Sequence, residues 1–226
     1  MSFMLALPKI SLHGAGAIGD MVNLVADKQW GKALIVTDGH LVEMGLLDSL
    51  FQALEAHQLS YHLFDNVFPN PTEALVQQGI AAFRAAQCDY IIAFGGGSPI
   101  DTAKAVKILS ANPAPSTAYS GVGKVKNAGV PLVAINTTAG TAAEMTSNAV
   151  IIDSERQVKE VIIDPNIIPD IAVDDASVML DIPPSVTAAT GMDALTHAIE
   201  AFVSVGAHPL TDANALEAIQ IGRAHV

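Results

Sequence analysis

Cysteine and basic residues are scarce in this chain, and no long apolar run occurs in it. The 226 residues include one cysteine, Cys88, which excludes an intramolecular disulfide and predicts a reducing, cytoplasmic location. Lysine and arginine number 11 against 23 acidic residues, which excludes the basic face that a nucleic acid or an anionic membrane surface requires. Apolar runs such as YIIAF are far too short to cross a bilayer, and MSFMLALPKI lacks the pattern of a signal peptide. Cys88 could be a nucleophile, but its surroundings favour a small apolar filler.

The chain does contain an alternation of short apolar runs and amphipathic stretches. Helical patterns begin at Leu46, Pro71 and Pro99. Between them lie strand-like runs at Lys32–Thr37, Tyr61–Phe64, Tyr90–Phe94 and Leu132–Asn136. Continuous apolar strands separated by amphipathic helices predict an α/β fold with a parallel sheet covered on both faces.

The second half of the chain changes character twice. A surface loop is expected from Ala111 to Gly129, where Asn, Pro, Ser and Gly are frequent. Further short strands are predicted at Val150–Asp153, Val161–Ile163 and Ile171–Val173. After Pro183–Pro184 the periodicity is helical, which predicts a boundary near Asp181–Ser185: an α/β domain over 1–181 and the beginning of an all-helical domain over 182–226.

The segment FGGGSPIDTAK, Phe94 to Lys104, joins a buried strand to a helix through three glycines. Gly95–Gly97 let a backbone approach a ligand closely and adopt positive φ, and the positive end of the following helix favours a phosphate. The alternative is an ordinary strand-to-helix turn capped by Ser98.

Asp38 closes the strand KALIVTD, a position at which a carboxylate can accept hydrogen bonds from both ribose hydroxyls of a nucleotide. In the usual dinucleotide fingerprint the glycines precede the acid, whereas here Asp38 precedes Gly95 by 57 residues. The chain is therefore not a standard Rossmann unit. Taken alone, Asp38 is better interpreted as a helix N-cap.

The threonines of NTTAGTAAEMT, Asn136 to Thr146, follow another apolar strand. Their hydroxyls could reach a pyrophosphate or the nicotinamide ribose. The alternative is a plain threonine-rich turn.

In GMDALTHAIE, Asp193 and His197 are one helical turn apart and lean from the same face. A carboxylate and a neutral imidazole are ligands that suit Fe(II), Zn(II) or Mn(II). For an isolated pair the alternative is a helix-stabilising contact, so the metal hypothesis depends on the three candidate nucleotide-binding turns in the same chain.

Five segments resemble, in order, the motifs of the iron-dependent (group III) alcohol dehydrogenases. They are IVTD, PNPT, GGGSPIDTAKA, INTTAGTAAEMT and AATGMDALTHAIEAF, and the resemblance covers essentially Leu5 to Gln220. The last two are far more specific than a lone glycine motif. Within the family, the chain looks closest to the ethanol and lactaldehyde/propanediol oxidoreductase branch.

The resemblance implies a dinucleotide-binding domain followed by a helical metal-binding domain, with NAD and Fe²⁺ as cofactors and Zn²⁺ as an alternative metal. It implies that Asp38 holds the adenosine ribose, that Gly97 and Ser98 receive the pyrophosphate, and that Lys159 lies on the nicotinamide-side ribose. Without the alignment, Lys159 would be interpreted as a solvated surface lysine. The implied cofactor-binding residues are Asp38, Asn70, Gly97, Ser98, Thr137, Thr138, Thr146 and Lys159, and the implied metal ligands are Asp193 and His197.

The family's two further histidine ligands stand on later helices, and no segment of this sequence resembles them. A C-terminally truncated chain is therefore expected. The remaining histidines, interpreted as surface or core residues, are His13, His40, His57, His62, His208 and His225. The final IGRAHV can be encoded by the opening codons of a common sequencing adapter, which suggests the hypothesis of an adapter read-through.

The implied function is that of a metal-dependent alcohol dehydrogenase. It transfers a hydride between a small primary alcohol or diol and NAD, with the metal polarising the alcohol oxygen. The sequence suggests no catalytic residue beyond the metal ligands. Alternatives are a polyol dehydrogenase or maleylacetate reductase on the same fold, or a non-catalytic nucleotide-binding fragment. The expected partners are a small alcohol or aldehyde and, for the parent enzyme, further copies of itself.

Overall fold

The described part of the chain alternates strands and helices, as the hydrophobic pattern predicts. The computed structural model describes residues 4–180 and 182–223. The strands in chain order are β1 (Ile10–His13), β2 (Lys32–Asp38), β3 (Ser60–Val67), β4 (Tyr90–Gly95), β5 (Gly121–Val122), β6 (Leu132–Asn136), β7 (Asn148–Asp153), β8 (Val158–Ile163) and β9 (Ile171–Asp174). The helices are α1 (Ala17–Asp27), α2 (Gly39–Glu43), α3 (Asp48–Ala56), α4 (Glu73–Ala85), α5 (Gly97–Ala111), α6 (Pro184–Val203) and α7 (Pro209–Arg223).

The main sheet has six strands in the order β1-β9-β6-β4-β2-β3, and every neighbouring pair is parallel. Its central strands are buried along nearly their whole length. Successive side chains along each strand point to opposite faces of the sheet. Leu34, Ile91 and Leu132 join one core cluster with residues of α4 and α5, whereas Ile35 and Ile92 are equally buried but lie outside that cluster. The predicted α/β class and parallel sheet are confirmed.

A second sheet was not foreseen from the sequence. The predicted strands Val150–Asp153 and Val161–Ile163 belong to β7 and β8, which pair antiparallel, and β5 joins β8 in parallel. The predicted strand Ile171–Val173 belongs instead to the main sheet, as β9. The loop expected from Ala111 to Gly129 contains a short 3₁₀ helix as well as β5.

Cys88 is buried in the core cluster and forms no disulfide. Burial raises the pKa of its thiol, which disfavours the thiolate that a nucleophile needs. Its surroundings therefore support the interpretation as an apolar filler.

The chain divides into two units. One comprises residues up to Thr137 together with Ala143–Val178, and the other comprises Thr138–Ala142 together with the residues from Met179 onward. In the second unit, α6 and α7 pack against each other, and α6 begins at Pro184 as the periodicity predicts. Assigning these units as dinucleotide-binding and metal-binding domains, with a boundary at 181/182, stays a prediction; residue 181 lies outside the described residues. So do residues 1–3 and 224–226, with His225 and half of the IGRAHV segment. Among the described residues, no helix has the length and apolar composition needed to cross a bilayer.

Candidate nucleotide and metal sites

The order of strands creates a crevice between β2 and β4. From β2 the chain moves outward to β3, whereas from β4 it moves in the opposite direction to β6 and β9. In open parallel sheets, ligands bind outside the carboxyl ends of strands at which the direction of winding reverses. The carboxyl ends of β2 and β4 are Asp38 and Gly95, two of the positions that the sequence singles out.

The turn after β4 requires glycine at its first position. Gly95 has a φ of 144°, and a Cβ built on it would lie 2.6 Å from Cγ of Pro99. Gly96 has a φ of −82°, so the positive φ expected for all three glycines is found at Gly95 alone among them. Because this turn is so tight, α5 begins directly after β4.

The beginning of α5 carries no side-chain cap. The N-cap residue is Gly96, and Ser98 lies within the first helical turn, so the alternative interpretation of a turn capped by Ser98 is wrong. The N–H groups of a first helical turn have no partner inside the helix and point outward with the positive end of the helix dipole. Gly97 and Ser98 therefore present the anion-binding geometry that the predicted pyrophosphate site needs.

Asp38 is a helix cap in this structure. Its Oδ1 accepts a hydrogen bond of 2.7 Å from the backbone N–H of His40, and it is the N-cap of α2. The β2–β4 register pairs Val36 with Ala93, and continuing it by two residues places Asp38 beside Gly95. Neighbouring strands are about 4.8 Å apart. The carboxylate thus lies at the crevice, and one of its two oxygens already accepts a hydrogen bond from the backbone.

The threonines predicted to bind the cofactor occupy different surroundings. The N–H of Thr137 donates to the carbonyl oxygen of Gly95 at 3.1 Å, which joins the end of β6 to the glycine turn. Thr138 belongs to the second unit. The Oγ1 of Thr146 accepts from Nζ of Lys104 at 3.0 Å and donates to the carbonyl of Ala143 at 3.2 Å, so both hydroxyl functions are engaged within the protein.

Asn70 and Lys159 are joined through β7. The N–H of Ile152 donates to the carbonyl oxygen of Pro71 at 2.8 Å, and Ile152 is paired with Lys159 in the antiparallel hairpin. Asn70, which precedes Pro71, is exposed and has a left-handed φ of 60°. Lys159 is also exposed. The residue that follows Asn70 is thus hydrogen-bonded to the strand that pairs with Lys159, and the contact of Asn70 and Lys159 with a nucleotide stays a prediction.

A largely buried cluster of charged side chains on and beside α5 was not predicted from the sequence. It consists of Asp101 and Lys104 on α5 and Glu144 on the segment after β6. Burial raises the pKa of Asp101 to about 6 and that of Glu144 to about 7, and it lowers the pKa of Lys104 to about 8. The available signal was the spacing of Asp101 and Lys104, which puts two charges on one face of a helix whose apolar pattern predicts burial.

The pair Asp193 and His197 is formed as predicted on α6. Nε2 of His197 lies 3.5 Å from Oδ2 of Asp193, and the side chains are 59% and 45% exposed. The described residues contain no group of three His, Cys, Asp or Glu side chains that could hold a metal ion. In the same unit, a Cβ on Gly140 would lie 2.9 Å from Cβ of Thr190, so this glycine lets the segment Thr138–Ala142 pack closely on α6.

Two family signatures match this chain. Iron-containing alcohol dehydrogenase matches residues 8–176, and Fe-containing alcohol dehydrogenase family, C-terminal, matches residues 187–223. The chain belongs to the iron-containing alcohol dehydrogenase family. The resemblance inferred from the sequence motifs is thereby confirmed.

Members of this family are similar to the chain over almost all of its length. Lactaldehyde reductase of Escherichia coli K12 is 44% identical over 223 residues, which are 98% of this chain and 58% of that protein. The crystal structure of a 1,3-propanediol oxidoreductase superimposes with a TM-score of 0.96 at 38% identity, covering 99% of this chain and 59% of that one. Sulfoacetaldehyde reductase from Bifidobacterium kashiwanohense, solved in complex with NAD⁺, gives a TM-score of 0.90 at 28% identity, with 98% and 59% covered.

The chain thus spans somewhat more than half of the length of these iron-containing alcohol dehydrogenase relatives.

Proposed function

We propose that this chain is the nucleotide-binding part of an enzyme that transfers a hydride between a small primary alcohol or diol and NAD. The observation that carries the proposal is the convergence of Asp38, the uncapped start of α5 and Thr137 at the carboxyl edge of β2, β4 and β6. The relatives support the substrate class, since their names include lactaldehyde reductase and 1,3-propanediol oxidoreductase. The sulfoacetaldehyde reductase complex supports NAD as the cofactor.

In this proposal each element of the crevice binds one part of the dinucleotide. The Asp38 carboxylate accepts from the adenosine ribose hydroxyls, and the N–H groups of Gly97 and Ser98 receive the pyrophosphate. NAD supplies the hydride acceptor, while these residues supply orientation. Asn70, Thr137, Thr138, Thr146 and Lys159 complete the proposed set.

The metal is treated separately, because the described donors do not complete a site. Catalytic metal sites normally offer three or more protein ligands. Asp193 and His197 supply two that are partly exposed, and no third candidate joins them within 4–180 and 182–223. Iron, or zinc in its place, would act in the whole enzyme as a Lewis acid on the alcohol oxygen. For the 226-residue chain itself we infer nucleotide binding without turnover.

The experiment that tests the proposal separates phosphate binding from helix stability. Ser98→Asp places a negative charge in the first turn of α5, where it interacts favourably with the helix dipole but repels a pyrophosphate. We expect NADH affinity, measured by calorimetric titration, to fall at least about tenfold while the melting temperature stays equal or rises. Ser98→Asn, of the same shape without the charge, is the matched control and should change the affinity less than about threefold. Unchanged NADH affinity in Ser98→Asp would remove the pyrophosphate from this turn.

The remaining parts of the proposal concern the cellular setting. We propose a cytoplasmic enzyme, supported by the single cysteine and the acidic composition, and a homo-oligomeric parent. Substrate profiling of the parent with ethanol, 1,2-propanediol, polyols and maleylacetate would distinguish an alcohol or diol dehydrogenase from the two alternatives on the same fold.

A further inference from the structure

Lys104 is a fully buried lysine whose ammonium is completely engaged. It has no exposed surface, although it is one of the longest side chains on α5. Its Nζ donates to the carbonyl oxygen of Thr146 at 2.9 Å, to Oγ1 of the same residue at 3.0 Å, and to the carbonyl oxygen of Asn148 at 2.8 Å. An ammonium has three N–H donors, so each has an acceptor. These acceptors belong to Thr146, the last residue of the threonine-rich segment, and to Asn148, the first residue of β7.

Helix α5 connects this ammonium with the glycine turn, because it carries Lys104 and begins at that turn. Ser98, Asp101 and Lys104 are spaced by three residues, so each side chain is a neighbour of the next along the helix surface. Helical side chains lean toward the N-terminus, so the long stem of Lys104 carries its ammonium back toward the first turn. Asp101, between the two, accepts a hydrogen bond of 3.1 Å at Oδ2 from the N–H of Val150. Two side chains of α5 thus bind three alternate positions of the facing segment.

The charges around the ammonium strengthen this attachment. The groups that face Lys104 are Asp101 on its own helix and Glu144 on the segment that it binds, and both favour its charged form. Glu144 is 3% exposed, and its Oε2 accepts no hydrogen bond from the described residues. A buried carboxylate oxygen without a hydrogen-bond partner depends on nearby positive charge, which here comes from Lys104.

We propose that Lys104 is a positioning residue for the dinucleotide: its ammonium fixes the Thr146–Asn148 segment against α5, which begins with the pyrophosphate turn. The expected effect on dinucleotide binding rests on the proposed function. The attachment of the Thr146–Asn148 segment to α5 is a property of the fold alone. Without the ammonium, two backbone carbonyls and one hydroxyl lose their donor in a part-buried place. The segment then shifts or admits water, and the residues around it no longer meet the cofactor in their folded positions.

The chain offers a matched control on the same helix. Lys107 is also buried, but its Nζ donates to Oδ2 of Asp170 at 3.0 Å, at the amino edge of the sheet. Lys104→Met and Lys107→Met each remove one buried charge from α5 and keep a side chain of similar length. Only the first removes the attachment of residues 146–148. Two quantities are measured for both variants: the Kd for NADH and the hydrogen-exchange rates of the amides from 146 to 150.

We expect Lys104→Met to raise the Kd for NADH at least about tenfold and to accelerate exchange at 146–150 at least about tenfold relative to the β6 amides. Lys107→Met should leave both quantities within about threefold of the unaltered chain, even if its melting temperature falls as much. The proposal is overturned if Lys104→Met retains the Kd, or if Lys107→Met weakens NADH equally, since the loss would then reflect stability alone.

A measurement on the unaltered chain covers the case in which Lys104→Met does not fold. Because burial lowers the pKa of Lys104 to about 8, the ammonium loses its proton in an accessible pH range. From pH 7 to 9, exchange at 146–150 should accelerate more than at β6, and the Kd for NADH should rise. Equal pH dependence of the two sets of amides would contradict the attachment. If the unaltered chain does not bind NADH at all, the proposed function fails, whereas the exchange comparison still decides the role of Lys104.

Discussion

Replacing Asp38 tests the choice between NAD and NADP. The residue stands at the carboxyl end of β2, with Oδ1 bound to the N–H of His40 at 2.7 Å. In the proposed complex its carboxylate accepts from the adenosine ribose, and charge-assisted hydrogen bonds of this kind contribute roughly 1.5–3 kcal/mol. A 2′-phosphate would lose that contribution and would meet a like charge.

The size of the repulsion sets the expected preference. Two unit charges about 4 Å apart at an effective dielectric constant near 20 repel by roughly 4 kcal/mol. Salt and local rearrangement reduce this value, so we expect NADH to bind roughly ten- to thousand-fold more tightly than NADPH. The ring of His40 provides little compensation, since its Nδ1 faces Oε2 of Glu43 at 3.9 Å on an exposed surface.

The assay is titration of NADH and NADPH at pH 7.5 into the unaltered chain and two variants. Asp38→Asn retains an oxygen that caps α2 but removes the charge, and Asp38→Gly also removes the side chain. Both should reduce the preference for NADH at least about tenfold. Asp89→Asn is the matched control, because Asp89 binds the N–H groups of Gly31 and Lys32 at 2.8 Å each, at the opposite end of β2. Equal affinities in the unaltered chain, or an unchanged preference in both Asp38 variants, would refute the reasoning.

Three further predictions concern metal, association and pH. The chain should bind Fe²⁺ or Zn²⁺ weakly and should not oxidise ethanol or 1,2-propanediol, because Asp193 and His197 leave most coordination positions to water. Tight binding of one metal ion per chain in equilibrium dialysis, together with formation of NADH from either alcohol, would contradict this prediction. Exposed apolar side chains on α6 and α7, such as Met192, Ile199 and Leu210, should make the chain self-associate and bind an apolar dye, whereas a monodisperse monomer in light scattering would count against it. Burial raises the pKa of Glu144 from 4.5 to about 7, so its contribution to stability is complete below pH 4.5 and is lost as the pH rises through 7, by roughly 3 kcal/mol. Urea unfolding of Glu144→Gln should show a smaller loss between pH 5 and 8, and an identical pH dependence would exclude this role.

The strands and helices that were predicted from the sequence are those with strong local signals. KALIVT, YIIAF and LVAIN are continuous apolar runs, and each is a central strand of the main sheet. β1 and α1 were missed for physical reasons. β1 is a four-residue edge strand of alternating exposure, and α1 begins after Gly16, which has a φ of 90° and provides no side-chain cap. The separate sheet of β7 and β8 was missed because periodicity identifies a strand but not its partner.

The site shows the same division between local and non-local information. Asp38 and the turn at Gly95 carry local signals, since an acid or a glycine run directly after an apolar strand is visible in the sequence. The local signal at Lys104 is misleading, because a lysine in a helix is ordinarily a solvated residue. Its burial depends on acceptors about 40 residues away, at Thr146 and Asn148, which no local pattern reveals. The resemblance located Thr146 but did not show that its hydroxyl is engaged by this lysine.

The backbone hydrogen bond between Ile152 and Pro71 affects the entropy of dinucleotide binding. Asn70 stands on a connection between β3 and α4, and such a connection would ordinarily lose conformational freedom when a ligand orders it. Here the carbonyl of the neighbouring residue accepts a hydrogen bond from the β7–β8 ladder, so this stretch of backbone is already restrained in the free protein. A dinucleotide that reaches Asn70 therefore meets a preorganised surface, and little of its binding energy is spent on ordering the loop.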